Sequence, residues 1–523
     1  MADEIDRSLK LNRNLSSNLE KAIEMDRAIK IGWGAQGDAK PKEGEIGIAS
    51  HLPKGARIRL LGNLGDCTAT CSKGGSFTLE GNALGWFGAW NAGGRLVVER
   101  DAGLRCGHGM TEGRIYVQGN VGDEAGGSMS GGELIVRGHA GGRLGIGMTG
   151  GLIVIVGDCK ADVGQGMTGG RIVIDGRCLP NGEGAKQRPL KKTELKEISA
   201  ILKEHQLKIS ADAVVIEADD ENDISSDEPE HTVWGDFSDI GILSGETPID
   251  PANPMDVVTL ITRGDEDEGI AFPLPVLPYV ESGKGLTGTL LSSQPCLVRK
   301  DPRGIDIVCI DSENISDADN LLSSGGGLLL DLDHLPPLHD GEVCALLIAL
   351  RNHLGDENPV LIAGRVDRVG NLHRMVRDQP IDGVLIRIVS PAGMSASAAL
   401  PRIGLSARDV NISDQILQIL DLPWYASADD AVIAAAAGCG MICANPFAED
   451  ESVPSTQKGR AEAVEEWLVT FAASLRGRMS DLGIDSLDKL TRRHLRALEY
   501  ETAAQSGLRL AGFDRPLPHW LGQ

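Results

Sequence analysis

The residues best placed to do chemistry lie in one run, Asp331-Leu332-Asp333-His334-Leu335-Pro336-Pro337-Leu338-His339-Asp340. Asp331 and Asp333 stand beside His334, and His339 follows five residues later. Carboxylates next to imidazole are the material of acid–base catalysis and of metal ligation. The competing reading is a loop whose polar groups are solvated. The sequence favours the loop, because a position within a fold is analogy rather than a site. Ten cysteines (67, 71, 106, 159, 178, 296, 309, 344, 439 and 443) are scattered, with no C-x-x-C pair of the zinc-ribbon or ferredoxin kind. No Ser-His-Asp order, H-E-x-x-H or Walker A sequence is present. His108 and His139 fall in Gly-rich turns and read as surface residues. No metal site is expected, and catalytic and cofactor-binding residues stay unassigned.

The elements around that run alternate. Strand-like segments at 305–310, 327–332, 359–363, 383–389 and 441–444 are apolar along most of their length. Helix-like segments at 317–323, 342–354, 372–376, 414–420 and 429–437 separate or follow them. Such strands alternating with helices argue for a parallel sheet buried on both faces. The spacing predicts a trimmed α/β, TIM-like (β/α) barrel within 233–455, with Asp331 at the end of a strand, where such barrels place reactive groups. A helix over 461–483, with Val464, Trp467, Leu468, Phe471 and Leu475 at helical spacing, opens a C-terminal helical segment, 456–523. The tail Trp520-Leu521 reads as a docking end.

The first half obeys another rule. Gly75, Gly94, Gly113, Gly132, Gly151 and Gly170 step by 19 residues, and Gly62, Gly81, Gly119, Gly138, Gly157 and Gly176 keep the same step, with Arg100 in the missing place. After each glycine of the first series comes a short aliphatic run, such as Arg114-Ile115-Tyr116-Val117 or Leu152-Ile153-Val154-Ile155, apolar at its second and fourth positions. That is a strand with one inward face. Met110, Met129, Met148 and Met167 recur in the Gly-rich half and read as a core ladder. A 19-residue period predicts a right-handed parallel β-helix over 46–178. Residues 1–45, with a polar helix over 18–29, form an arm or cap, and 179–232 carry a helix (190–205) and an acidic linker around 217–228. A second acidic run, 265–268, reads the same way.

Lysine and arginine number 51 against 75 acids, a formal charge of −24. That balance argues against nucleic acid and anionic membranes as partners. The opening residues, Met1-Ala2-Asp3-Glu4-Ile5-Asp6-Arg7, are charged at once and lack an apolar signal core. The longest apolar run, 431–437, is far shorter than a membrane span. A cytoplasmic location is expected.

The two halves together resemble glutamate synthase. The Gly-x-Gly-Met repeat over 46–178 looks like the Gly-rich β-helix of its large subunit. It also looks like the Gly-rich β-helix found in formylmethanofuran dehydrogenase and in related formyltransferase/hydrolase complexes. Pro336-Pro337-Leu338-His339-Asp340 is similar to the family's Pro-Pro-His-His-Asp segment. Gly438-Cys439-Gly440-Met441-Ile442-Cys443-Ala444-Asn445, with Thr456-Gln457, resembles the segment that holds a [3Fe–4S] cluster, and 482–490 the closing motif after the barrel. The resemblance implies an FMN-binding barrel, and the departures from the family pattern argue that it is degenerate. Only Cys439 and Cys443 stand where three thiolates are needed. Arg365, in Ile362-Ala363-Gly364-Arg365, replaces a lysine, which is not a neutral exchange. The phosphate loop reads Ala392-Gly393-Met394-Ser395-Ala396-Ser397, and an Asp-Gly-Gly turn is replaced by Tyr425-Ala426-Ser427-Ala428. Met1 is followed by Ala2, so no amidotransferase domain with an N-terminal cysteine is expected, and the order of solenoid before barrel is unusual.

The expectation is a β-helix scaffold with an inactive flavin barrel and no cofactor, assembling with other subunits of a glutamate synthase-like or formyltransferase-like complex. The alternatives are an active FMN-dependent oxidoreductase reducing an imine of 2-oxoglutarate, a scaffold for one-carbon formyl transfer, and a free-standing small-molecule binder.

Overall fold

The computed structural model describes residues 2–34, 40–41, 44–219, 233–245, 259–261, 270–389, 394–412, 416–448 and 453–513. The acidic runs at 220–228 and 265–268, Ala392 and Gly393, and the Trp520 tail lie outside them. The chain divides into two compact units. One is Met1–Asp227 with Ile315–Asp319 and Leu338–Asn352; the other is Glu228–Asn314 with Asn320–Pro337 and His353–Gln523.

The first unit is organised by the 19-residue step. Strands Arg57–Leu61, Ser76–Glu80, Ala92–Val98, Glu112–Val117, Ser130–Val136, Thr149–Ile155 and Gly169–Ile174 pair in parallel, each with its neighbour in the chain. The register is fixed at 19: Leu96 faces Ile115, which faces Leu134, then Ile153, then Ile172. A second ladder of single parallel bridges keeps the same count, from Leu64 through Ala83, Ala102, Val121, Ala140 and Cys159 to Cys178. The second and fourth positions of each run, such as Ile115 and Val117, sit in one core cluster with Met110, Met129, Met148 and Met167, all almost fully buried. The third positions Tyr116, Ile135, Val154 and Val173 face the other way, into a second cluster with Ile198 and Leu202 of helix Lys192–Lys203.

The two glycine series do different work. Gly132 adopts φ +76°, a left-handed conformation that favours glycine. At Gly138 the constraint is space: a Cβ there would lie 2.4 Å from the carbonyl oxygen of Gly119, one repeat away. Between the repeats runs a side-chain ladder. Asn63 Oδ1 accepts the N–H of Asn82, Asn82 Oδ1 that of Asp101, Asp101 Oδ1 that of Asn120, and Asn120 Oδ1 that of His139. His139 Nδ1 then accepts from Asp158, whose Oδ1 accepts from Arg177.

The ends of the sheet depart from the expected boundaries. The helix expected at 18–29 runs over Ala2–Glu24, and Ile29–Ile31 is a strand paired with Arg57–Leu61. The helix is hard to read from its pattern because its buried face is partly polar. Ser8 and Asn12 are buried, and their side chains bond the backbone at Ile46, Gly47 and Ala49. At the other end the sheet continues past 178. Strand Val214–Ala218 adds antiparallel to Gly169–Ile174, and Ala185–Pro189 pairs antiparallel outside it.

In the second unit eight parallel strands close a barrel: Val276–Ser282, Leu297–Lys300, Ile307–Ile310, Gly327–Asp331, Val360–Arg365, Gly383–Arg387, Leu417–Leu422 and Met441–Ala444. The expected trimming falls on the connections rather than the strands. Neither 283–296 nor 301–306 contains an α-helix. The six-residue return is pinned by buried Asp306, which accepts from the N–H of Cys296 and from both the backbone and the guanidinium of Arg303. The expected helix at 414–420 is instead strand Leu417–Leu422, and residues 413–415 lie outside the described set. Its apolar run is too short for periodicity to separate helix from buried strand. The barrel interior is filled by Leu277, Leu297, Ile307, Cys309, Leu329, Leu361, Leu385 and Ile419 among others. Helix Gln457–Leu482 follows, with Val464, Trp467, Leu468, Phe471 and Leu475 buried.

Candidate functional site

Side chains alternate along a strand, so residues two apart share a face. Cys309, Leu329, Ala363, Leu385 and Ile419 belong to the interior cluster. Two residues on, at the C-terminal ends of the same strands, stand Asp311, Asp331, Arg365, Arg387 and Asp421, and Arg299 stands two beyond Leu297. The barrel mouth therefore carries an inner rim of three arginines and three aspartates. This is the end where βα barrels place their sites.

Arg387 is the hub. Its Nη1 lies 2.7 Å from Asp331 Oδ1 and 3.0 Å from Asp333 Oδ2, and its Nη2 lies 2.6 Å from Asp331 Oδ2. Its Nε is 3.2 Å from Asp421 Oδ2. The Arg387–Asp331 pair is bidentate, the strongest form of such contact. Arg299 bridges Asp311 at 2.5 Å and Glu313 at 2.7 Å. Arg365 Nε contacts Asp367 at 3.2 Å. Burial alone would raise the pKa of Asp331, but hydrogen bonds from His334 and Arg387 outweigh it and hold the group well below the usual carboxylate range. At Asp421 burial wins over Arg387, and the pKa is raised.

His334 completes the network. Its Nδ1 lies 2.8 Å from Asp331 Oδ2. An ionised carboxylate only accepts, so Nδ1 carries the hydrogen and Nε2 is left as the titrating atom. The hydrogen bond to Asp331 raises the His334 pKa. The sequence run thus resolves into parts. Asp331, Asp333 and His334 come together around Arg387, a partner that sequence reading does not assign. His339 has a local role as the N-cap of helix Asp340–Arg351, its N–H donating to Glu342 Oε2 at 2.8 Å. The signal that could have found Arg387 is the strand grammar itself, in which apolar runs such as Leu328-Leu329-Leu330-Asp331 and Val384-Leu385-Ile386-Arg387 each end on a charge.

Among the described residues, those at the phosphate end of the mouth do not fit FMN. Barrels of this type hold phosphate at the loops after the seventh and eighth strands, on a helix N-terminus. Here the helix after the seventh strand, Ala428–Ala437, begins with its own carboxylates. Asp430 accepts the N–H and the hydroxyl of Ser427, Ser427 caps the Asp430 N–H, and Asp429 pairs with Arg478. The arginines of the mouth are likewise engaged by carboxylates. Nor do the cysteines supply three thiolates: among the described residues, Cys439 and Cys443 belong to no metal-holding group of three or more His, Cys, Asp or Glu. Burial pushes the Cys439 thiol up to about 12, and burial together with Asp421 pushes Cys443 well above its ordinary value. Among the described residues no group of three or more His, Cys, Asp or Glu could hold a metal ion.

In the first unit, His139 has an exposed side chain, whereas His108 corrects the surface reading. It is buried against Trp86, at 5.1 Å between ring centroids, and Trp90, at 6.2 Å, the two indoles stacking on each other. Burial lowers its pKa to about 4, with the charge of Arg105 adding to the effect. A groove of 760 Å³ runs along the Gly-rich starts of the strands. Its arginines are paired: Arg95 with Glu204, Arg114 with Glu133 and Glu204, and Arg171 with Glu197.

Comparison with known proteins gives a partial family match. Residues 43–215 match the family model described as the GXGXG motif. No curated protein matches the chain. Among solved structures, the chain is similar to the flavin-binding domain of baker's yeast flavocytochrome b2 (12% identity, 50% of this chain and 76% of that one, TM-score 0.36). It is also similar to a flavocytochrome b2 double mutant with pyruvate bound (13%, 53% and 80%, 0.38). A third is a mandelate oxidase mutant with a monooxide FMN adduct (15%, 47% and 90%, 0.31). The barrel itself is read from its own strand pairing. No helix among the described residues is long and apolar enough to cross a membrane.

Proposed function

We propose that this chain is a glutamate synthase-related subunit whose 19-residue coils wind as a right-handed β-helix scaffold, whose barrel no longer uses flavin, and which acts in the assembly of a complex of several subunits. The observation that carries this reading is the barrel mouth, where Arg387 is enclosed by Asp331, Asp333 and Asp421. A mouth built to receive an anionic cofactor keeps cations and backbone N–H groups open to it. Here the arginines of the rim are already engaged by carboxylates, which leaves less positive charge to meet a phosphate. The repeat, matched by the GXGXG model, is common to the glutamate and the formyl-transfer expectations. The closed barrel that follows it in the chain favours the glutamate branch.

The test uses the full-length protein purified from its native cells. The reading expects a colourless protein that co-elutes with other subunits and shows no saturable change in flavin fluorescence when titrated with FMN. A yellow protein that releases flavin on heating overturns it and restores the oxidoreductase alternative.

A further inference from the structure

On the barrel face opposite the charged rim, beside the N-terminal ends of strands Leu417–Leu422 and Met441–Ala444, lies a pocket of 580 Å³. Leu400, Leu490 and the last alanines of helix Ala428–Ala437 give it apolar walls, and Asn411 and Gln418 contribute amides. Arg408 and Arg492 both line it, and among the described residues no aspartate or glutamate does. Arg408 Nε donates to the Gly404 carbonyl at 3.0 Å, and Arg492 Nη2 donates to the Ser506 carbonyl at 2.5 Å. Those partners are neutral and cancel no charge. Arg492 is half-buried, and its pKa is lowered first by burial and then by the charge of Arg408, so the two guanidinium groups feel each other.

The helices Ala396–Asp409 and Ala428–Ala437 end here, and each C-terminus supplies roughly half a negative charge. Against two guanidinium groups that leaves about one positive charge uncompensated by the described lining residues. In a chain of formal charge −24, such a pair inside a pocket stands out. The volume falls within the range of about 300–1,000 Å³ typical of small-molecule sites. We propose that this pocket binds a small organic oxyanion, a phosphate monoester or a carboxylate, held between Arg408 and Arg492 with its apolar part against Leu400 and Leu490. Guanidinium forks match both anions in geometry.

The test is titration calorimetry of the full chain with phenyl phosphate and with benzoate. It compares the unaltered protein, Arg408→Gln, Arg492→Gln, and Arg377→Gln as a control at an exposed arginine paired with Asp378. Saturable binding of one probe is expected, weakened about tenfold or more by either pocket substitution, as for loss of a charge-assisted bond, and unchanged in the control. The tighter probe identifies the anion class. Melting temperatures of the pocket variants are expected at or above that of the unaltered chain, since one of two like charges is removed. If one variant fails to fold, the other carries the test. Absence of saturation by either probe in the unaltered protein, or binding that survives both substitutions, overturns the proposal.

Discussion

In the first unit, a polar side chain finds its partner one repeat away: Asn120 Oδ1 takes the N–H of His139, as Asp101 Oδ1 takes that of Asn120, always at a separation of 19. On the barrel rim the separations have no common measure. Arg387 reaches Asp331 across 56 residues and Asp333 across 54, and meets Asp421 on the next strand. The first arrangement distributes many small, equivalent bonds along a stack. The second concentrates one partly buried guanidinium among carboxylates that lose their shared partner if it goes. Damage in the repeat therefore scales with sterics and rung count, and damage at the rim is a single large electrostatic loss.

The largest effect should come from Gly138→Val, where a Cβ 2.4 Å from the Gly119 carbonyl has no room. Unfolding of the first unit, followed by denaturant titration, should show a loss of about 4 kcal/mol or more. Arg387→Met should cost about 3–5 kcal/mol in the second unit by taking the bidentate partner from buried Asp331. Pairing it with Asp331→Leu should recover part of that loss. A full effect of Gly138→Val on the second unit's transition would break the contrast between the two regions.

His108 provides a pH test. Its folded pKa is about 4, against an ordinary 6.5. The unfolded chain takes up the proton first, so the stabilising difference is fully present above about pH 6.5 and is lost as pH falls toward 4, by about 3 kcal/mol. Fluorescence of Trp86 and Trp90 reports it, and His108→Phe should flatten the slope. A single rung is worth less: Asn120→Ala should cost about 1 kcal/mol. Smallest is His334→Gln, under about 1 kcal/mol because the ring is largely exposed. With its pKa raised, that contribution is present below about 6.5 and disappears as pH climbs through the folded value. A larger loss than that of Arg387→Met would reverse their ranking at the rim.

The repeat is legible because counting suffices. The strand register, the buried second and fourth positions and the methionine ladder all follow from one number. The side-chain ladder is equally visible at Asn82, Asp101, Asn120, His139 and Asp158, but the stronger glycine period masks it. His108 misleads because a histidine between glycines looks solvent-facing, while its burial depends on Trp86 and Trp90 in the preceding repeat. In the barrel, strands with long apolar runs are readable. Val276–Ser282 and Leu297–Lys300 are not, because no helix follows them to complete the alternation. The acidic half of the site, Asp331, Asp333 and His334, lies within four residues and stands out in the sequence. Arg387 does not, because its partners become neighbours only when the sheet closes on itself.

The reversed strand at the end of the repeat has a wider consequence. A stack that stopped on one more parallel rung would offer a neighbouring molecule the same open row of donors and acceptors as every rung inside it. Val214–Ala218 changes the hydrogen-bond spacing from parallel to antiparallel, and the outermost strand, Ala185–Pro189, finishes on a residue without an N–H. The opposite border is only three residues long. A motif that could in principle propagate into a fibre is thus kept to a fixed length, and each copy of the protein ends where it begins to be useful to another as a template.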